Sequence, residues 1–323
     1  MGGYLDVIGA FSELKVCVIG ETIADVFMDV CPLSTPPGLT HMVAETCGTT
    51  EFIGGAYPVA ADLAQFCGEV TLVSNCTGDP EQAGIRHVSI GTGPQTVRKT
   101  RFVGSTSGEI LFFLCEWPDD EAWTAALNLQ REACREAIRS SDVTVVLDYG
   151  HGLINAEFAN DISLSSGFLA LNCQANGGRH PFNLISKYPA ANLVVLNEYE
   201  ARLNAGVFSA ASPTVLARQL SMDRAVNQVV VTSAAHGAWL CQGFEVLHQR
   251  SFATNIIDTV GCGDALLGFA ALASASGWSP ALILELGSLA AAAKARMRVH
   301  EHRITDSLLR ETYAIVAGQP AEP

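Results

Sequence analysis

Five short runs constrain what this chain can fold into: KVCVIG at 15–20, EVTLVSNCTGD at 69–79 (a strand running into a turn), VTVVLDYG at 143–150, LVVLN at 193–197 and QVVVTSAAHGAWLCQ at 228–242 (two strands around a turn). Each strand is dominated by apolar and β-branched residues and nearly lacks the apolar/polar alternation of a strand with one wet face. Such strands must be covered on both sides. The segments between them supply the cover: apolar positions recur at helical spacing in 55–67, around 119–140 and near 281–297. Alternating buried strands and helices predict an α/β fold, a three-layer sandwich around a mostly parallel central sheet. Two stretches do not fit that rhythm. TVRKTRFVG (96–104) and EILFFLCEW (109–117), joined by STSG, read as an antiparallel pair. The region 28–52 has no helical period and contains Pro36 and Pro37 in succession. Together they predict a small β lid, with strands drawn from about 26–52 and 94–117, on one domain spanning 1–323.

The chain of 323 residues is 49% hydrophobic, enough for a large core. Its formal charge of −14 argues against a polynucleotide partner, whose phosphates demand a basic face. A small anion is still compatible, because a helix N-terminus binds one without a basic surface. The ten Cys include no CxxC pair, and most lie in apolar runs, which predicts reduced thiols in a cytoplasmic protein. The start MGGYLDVIGAFSELK is not patterned as a signal peptide, and no apolar stretch reaches spanning length. No membrane association is expected.

The chemistry concentrates in Asp258-Thr259-Val260-Gly261-Cys262-Gly263-Asp264-Ala265. Two glycines one residue apart permit a tight turn and close approach of backbone N–H groups to a ligand. The small-residue apolar run that follows predicts a helix, whose N-terminus turns unpaired N–H groups and a partial positive charge toward the turn. That is an oxyanion or phosphate site. A carboxylate in the first turn, Asp264, is positioned there to take a proton from an attacking hydroxyl. Taken alone, Gly-Cys-Gly-Asp is equally a turn with Asp264 capping the helix; the rest of the chain decides between the two.

The sequence resembles the PfkB (ribokinase-like) carbohydrate kinases, whose DTxGAGD signature stands here as DTVGCGD. The likeness runs along the whole chain in order: GETIAD (20–25), FIGGAYPVAADLAQFCGEVTLVSNCTGD (52–79), KTRFV (99–103), LDYGHG (147–152), NEYE (197–200) and VTSAAHGAW (231–239). Within the family, LDYGHGLI and the stretch from LNCQANGGRHPFNLISKYP to LVVLNEYEARL are similar to heptose-phosphate kinases of ADP-heptose synthesis. The resemblance implies an ATP-dependent kinase for a hydroxyl of a sugar or sugar phosphate of the heptose 7-phosphate kind. It implies Asp264 as general base and the backbone of Gly261, Cys262 and Gly263 as anion hole. Asn197, Glu200, Thr232, Gly237, Asp258 and Thr259 fall on the ATP and Mg²⁺ side. Asp25, Gly54, Gly55, Lys99, Arg101 and Asp148 fall on the substrate side. No direct protein ligand for the metal is assigned, a monovalent cation is an optional third cofactor, and a homodimer through the lid is the expected assembly.

Several positions depart from the family pattern. Ala234 replaces the first Gly of a T-x-G-x-x-G turn, Tyr57 and Pro58 stand where a sugar-binding Asn is usual, and Cys262 replaces Ala. Cys262, at a helix N-terminus, is a candidate for a lowered thiol pKa. The His pair of His300-Glu301-His302 has no third partner in the sequence, so a metal site is not expected there. Two alternatives stay open: a nucleoside or aminocyclitol kinase on the same scaffold, and a catalytically weakened ligand-binding protein. A dinucleotide-binding dehydrogenase is not supported, because no GxGxxG follows the first strand. With no nucleotidyltransferase-like segment after residue 323, nucleotidyl transfer is expected to belong to another protein.

Overall fold

The computed structural model describes residues 8–33, 37–38, 40–75, 84–91, 97–175, 182–207, 209–223 and 225–318. A nine-stranded sheet runs in the order β13-β12-β11-β10-β9-β8-β1-β4-β5. Its strands are β1 (Lys15–Gly20), β4 (Glu69–Ser74), β5 (Arg86–Ser89), β8 (Val143–Asp148), β9 (Leu169–Cys173), β10 (Ala191–Asn197), β11 (Val226–Thr232), β12 (Ala238–Gln242) and β13 (Glu245–Gln249). All neighbours from β5 to β11 are parallel, and the two strands beyond β11 are antiparallel. Every residue of β8 and β9 is buried, as runs without alternation require.

Eight α-helices are described: α1 (Ala56–Leu63), α2 (Asp120–Arg139), α3 (Ala156–Ser165), α4 (Glu198–Ala205), α5 (Pro213–Asp223), α6 (Cys262–Ala275), α7 (Pro280–Ala295) and α8 (Asp306–Ala317). They form two packed groups. Helix α1 touches α6, α6 touches α7 and α7 touches α8, and α2 touches α3 while α4 touches α5. The two groups sandwich the sheet. Side-chain caps mark the starts: Asp119 accepts from the N–H of Ala122, Asn155 from Phe158 and Thr305 from Leu308. No helix among the described residues is long and apolar enough to cross a membrane.

A second, four-stranded sheet has the order β3-β2-β6-β7, with β2 (Thr22–Leu33), β3 (Val43–Gly55), β6 (Val97–Gly104) and β7 (Ile110–Glu116). It begins earlier than the sequence suggested. Only Glu21 separates β1 from β2, so the chain passes straight from the core into the lid. Asp25 therefore lies within a lid strand, opposite Lys99 on β6. The thiol expectation also needs correction, because Cys31 and Cys47 are paired as a disulfide across β2 and β3. Two strands held in antiparallel register place these side chains within bonding reach, a proximity invisible in the sequence. Cys17, Cys134, Cys173 and Cys241 are buried free thiols, and Cys76 lies outside the described residues.

The order of the large sheet places the site. From β1 the sheet grows toward β4 and β5 on one side and toward β8 to β11 on the other. Ligands of open α/β sheets bind where the order reverses, at the carboxyl ends of the strands. Here that crevice lies beyond Gly20 and Asp148. Buried Glu21 closes its floor, accepting the N–H groups of Tyr149, His151 and Leu153 at 3.3–3.4 Å.

Candidate active site

Helix α6 begins at this crevice. Gly261, its N-cap, has φ +79°, and a Cβ there would lie 3.0 Å from His300 and 3.4 Å from Lys294 Cε. Only Gly tolerates both the conformation and the crowding. The N–H groups of Gly261, Gly263 and Asp264 meet no acceptor among the described residues, whereas Cys262 donates to the Thr259 carbonyl at 3.3 Å. Two of the three expected donors, Gly261 and Gly263, are thus open, and Asp264 takes the place of Cys262. The thiol of Cys262 is not activated: burial pushes it up to about 11.

Asp264 sits in the first turn of α6 and is held from three sides. Tyr149 donates its hydroxyl to Oδ2 at 3.0 Å, while Asn172 and Gln174 donate to Oδ1 at 3.4 and 3.3 Å. Burial raises its carboxyl above the usual range; the Tyr149 bond, the Lys99 charge, the Asn172 bond and the Lys294 charge offset part of that rise. An oriented carboxylate of raised basicity beside free backbone donors is suited to deprotonating a hydroxyl while the donors receive an anion.

The lid supplies the opposite wall. Lys99 stands over the Tyr149 ring at 5.9 Å, and Arg101 pairs with Asp25 at 2.6 Å between the Phe27 and Phe113 rings. The sequence reading put Arg101 and Asp25 separately on the substrate; the structure joins them, because β2 and β6 run parallel with both side chains on one face. Burial lowers the Lys99 pKa, and Asp25 partly offsets this. Gly54 belongs to the same wall, since a Cβ there would stand 2.5 Å from Asp25 Oδ2.

Other candidates have internal duties. Asp148 was expected at the substrate. Its Oδ1 accepts from Asn183 at 2.9 Å and Gly150 N–H at 3.3 Å, and its Oδ2 from Tyr188 at 2.7 Å, with Lys187 as ion-pair partner. The acceptor capacity of both oxygens is used within the fold. Asp258 is likewise not turned to a ligand, because its oxygens accept from Val260 and Val299 N–H and staple the loop to the end of α7. Thr259 contributes its carbonyl to the turn. Gly55 and Gly237 are required by packing, since a Cβ would fall 2.1 Å from the Glu21 carbonyl or 2.0 Å from that of Gln249.

Asn197 and Glu200 form a reciprocal capping box at the start of α4, each bond 2.9 Å. Glu200 is buried, and its carboxyl is pushed up to about 7 by burial and by the charge of Asp264. Thr232 lies opposite Asn197 at the carboxyl ends of β11 and β10. Ala234 adopts φ +41°, the conformation a glycine would favour. Among the described residues no group of three or more His, Cys, Asp or Glu could hold a metal ion.

Tyr149, Asn172, Gln174 and Lys294 escaped the sequence reading. They come from strand ends and a helix end far apart in the chain. The only local signal was position: Tyr149 and Gln174 each follow the last residue of a buried strand.

Residues 165–298 match the model of the pfkB family carbohydrate kinases. The curated "Bifunctional protein HldE" of Gluconobacter oxydans is 27% identical over 298 residues, 86% of this chain and 60% of that protein. The protein of the same name from Mesorhizobium japonicum is 25% identical, covering 94% and 64% respectively. The chain thus spans about 60% of the length of the curated relatives it matches. A phosphofructokinase-2 mutant from Escherichia coli superposes with TM-score 0.73 at 14% identity, over 94% of this chain and 99% of that one. Arabidopsis thaliana ribokinase, complexed with ribose and ATP, gives 0.69 at 17% identity, over 93% and 98%. Residues 165–298 thus match the pfkB carbohydrate kinase family, and the fold over nearly the whole chain is that of the phosphofructokinase-2 and ribokinase structures.

Proposed function

We propose that the chain phosphorylates a hydroxyl of a sugar phosphate of the heptose 7-phosphate class, with Asp264 as the general base. The observation that carries this reading is the Asp264 carboxylate, oriented by Tyr149, Asn172 and Gln174 beside the open N–H groups at the head of α6. When bound, ATP would supply the phosphoryl group and Mg²⁺ would neutralise charge on its phosphates. Among the residues present Glu200 fits that ion: it is a buried carboxyl of raised pKa, which a nearby divalent charge would return to its ionised form. Asp264 accepts the hydroxyl proton as the oxygen attacks, and the N–H groups of Gly261, Gly263 and Asp264 receive the phosphoryl oxygens. Lys99 and Arg101 give the lid wall positive charge suited to an anionic sugar. The heptose assignment draws on the HldE relatives, and their second activity is no part of it.

The test is ADP release with MgATP across hexoses, heptose 7-phosphates, nucleosides and aminocyclitols, with wild type and Asp264→Asn side by side. Selective turnover of heptose 7-phosphates, reduced by about 10²–10⁴ in the variant, is the expected result. Turnover confined to nucleosides or aminocyclitols would move the substrate class. Turnover untouched by the substitution would remove Asp264 as base.

We also propose that two chains associate through the lid. Ile110, Phe112 and Leu114 alternate along β7, at the edge of the small sheet, and are 58%, 51% and 41% exposed. An edge strand with a row of exposed apolar side chains is suited to burial against a second copy.

A further inference from the structure

Lys187 and Lys294 are both withdrawn from solvent, Lys294 the more fully, and they differ in their partners. Lys187 is fully engaged: Nζ donates to the Ile154 carbonyl at 2.9 Å and to Asn183 at 2.8 Å, and it pairs with Asp148. Lys294, on the last turn of α7, is only 2% exposed, and its Nζ has no hydrogen-bond partner among the described residues. A buried ammonium with three unused donors is costly, and a chain retains one where an anionic environment compensates it.

That environment is the underside of the anion site. Lys294 Cε packs beneath Gly261, the N-cap of α6. The loop that carries Gly261 is docked on the end of the same helix, with the Ile257 and Asp258 N–H groups donating to the Ala295 carbonyl at 2.8 and 3.3 Å. The charge of Lys294 is felt at Asp62, Cys262, Asp264 and His300. The nearby carboxylates do not discharge it by contact: Asp258 is spent on Val260 and Val299, and Asp62 accepts from Ile304 N–H.

We propose that Lys294 is a tethered monovalent cation under the phosphate loop, a positioning residue that charges the head of α6 and makes a free monovalent cation unnecessary there. This rests on the kinase reading, because the anion that benefits is the transferring phosphoryl group. An ammonium fixed at the rear of the loop adds to the helix partial charge without contacting the sugar, and no mobile ion of the same sign is favoured beside it.

Titration with the non-hydrolysable nucleotide MgAMP-PNP, and with AMP as a control lacking the outer phosphates, reads this without turnover. In wild type the MgAMP-PNP affinity is expected to be the same in potassium, sodium and tetramethylammonium chloride at fixed ionic strength. Lys294→Ala is expected to weaken MgAMP-PNP by about 10- to 100-fold while leaving AMP unchanged. Ammonium or methylammonium chloride restores the loss; tetramethylammonium, too large for the space, does not. A structural role alone would give no such rescue. Potassium-dependent MgAMP-PNP affinity in wild type overturns the proposal without any variant, and so does wild-type affinity in Lys294→Ala. Should Lys294→Ala fail to fold, Lys294→Met preserves the volume and must show the same selective loss. A wild type that binds no MgAMP-PNP overturns the kinase reading, and this inference with it.

Discussion

Asp264 shows how one residue is tuned by groups that the sequence scatters. Tyr149 stabilises its ionised form through a 3.0 Å bond, so Tyr149→Phe should raise the Asp264 pKa further. The acid limb of kcat/KM then moves to higher pH, because a protonated Asp264 cannot accept the hydroxyl proton; a pH–rate profile reads this directly. Asp264→Asn should lose activity yet melt at a higher temperature at pH 7, since it removes a buried charge held at a cost. Gly54→Ala drives a methyl into Asp25, which Arg101 fixes, so the acceptor KM should rise at least about tenfold while the melting temperature stays close to wild type. Ala234→Gly relieves a left-handed alanine and should leave stability unchanged or raise it by up to about 1 kcal/mol, measured by denaturant unfolding.

At the scale of elements, the lid carries its polarity, and the face proposed for its assembly, in strand alternation. Asp25, Lys99, Arg101 and Phe113 share the site face, while Phe102 and Phe112 stack at 4.6 Å on the other. The proposed pairing predicts that Phe112→Glu, alone or with Leu114→Glu, converts a dimer to a monomer in light scattering. Wild type that is monomeric at working concentrations would remove the lid association. The register of β2 and β6 was not legible in the sequence, which is why the Arg101–Asp25 pair was unforeseen. The antiparallel pairing of β6 and β7 was legible, because only the Gly- and Ser-containing STSG separates the two runs.

For the whole molecule, buried carboxyls set the dependence of stability on pH. Burial pushes Glu21 and Glu200 up to about 7 and Asp62 to about 6. A carboxyl with a raised folded pKa binds its proton more tightly in the native state, so stability grows as pH falls through that value toward the unfolded one. Burial and the Lys294 charge push His300 down to about 3, which works in the opposite sense below the ordinary histidine range, where the unfolded chain takes up the proton. Between pH 8 and about 6.5 the carboxyls act largely without opposition from His300. Thermal melts should therefore show the melting temperature rising as pH is lowered across that interval, and a flat or falling trend would contradict this account.

The apolar runs determined by themselves that strands would be buried on both faces, and therefore that helices must cover a parallel sheet. DTVGCGD likewise fixed a glycine turn leading into a helix, with Asp264 in its first turn. Both are local facts, written in neighbouring residues and in periodicity. Only the tertiary structure decided which side chains face Asp264, that Asp148 and Asp258 serve the fold, that Cys31 meets Cys47, and that Lys294 lies beneath Gly261. Those contacts join residues separated by tens to more than a hundred positions, and the sheet order that brings them together leaves no mark on any one segment.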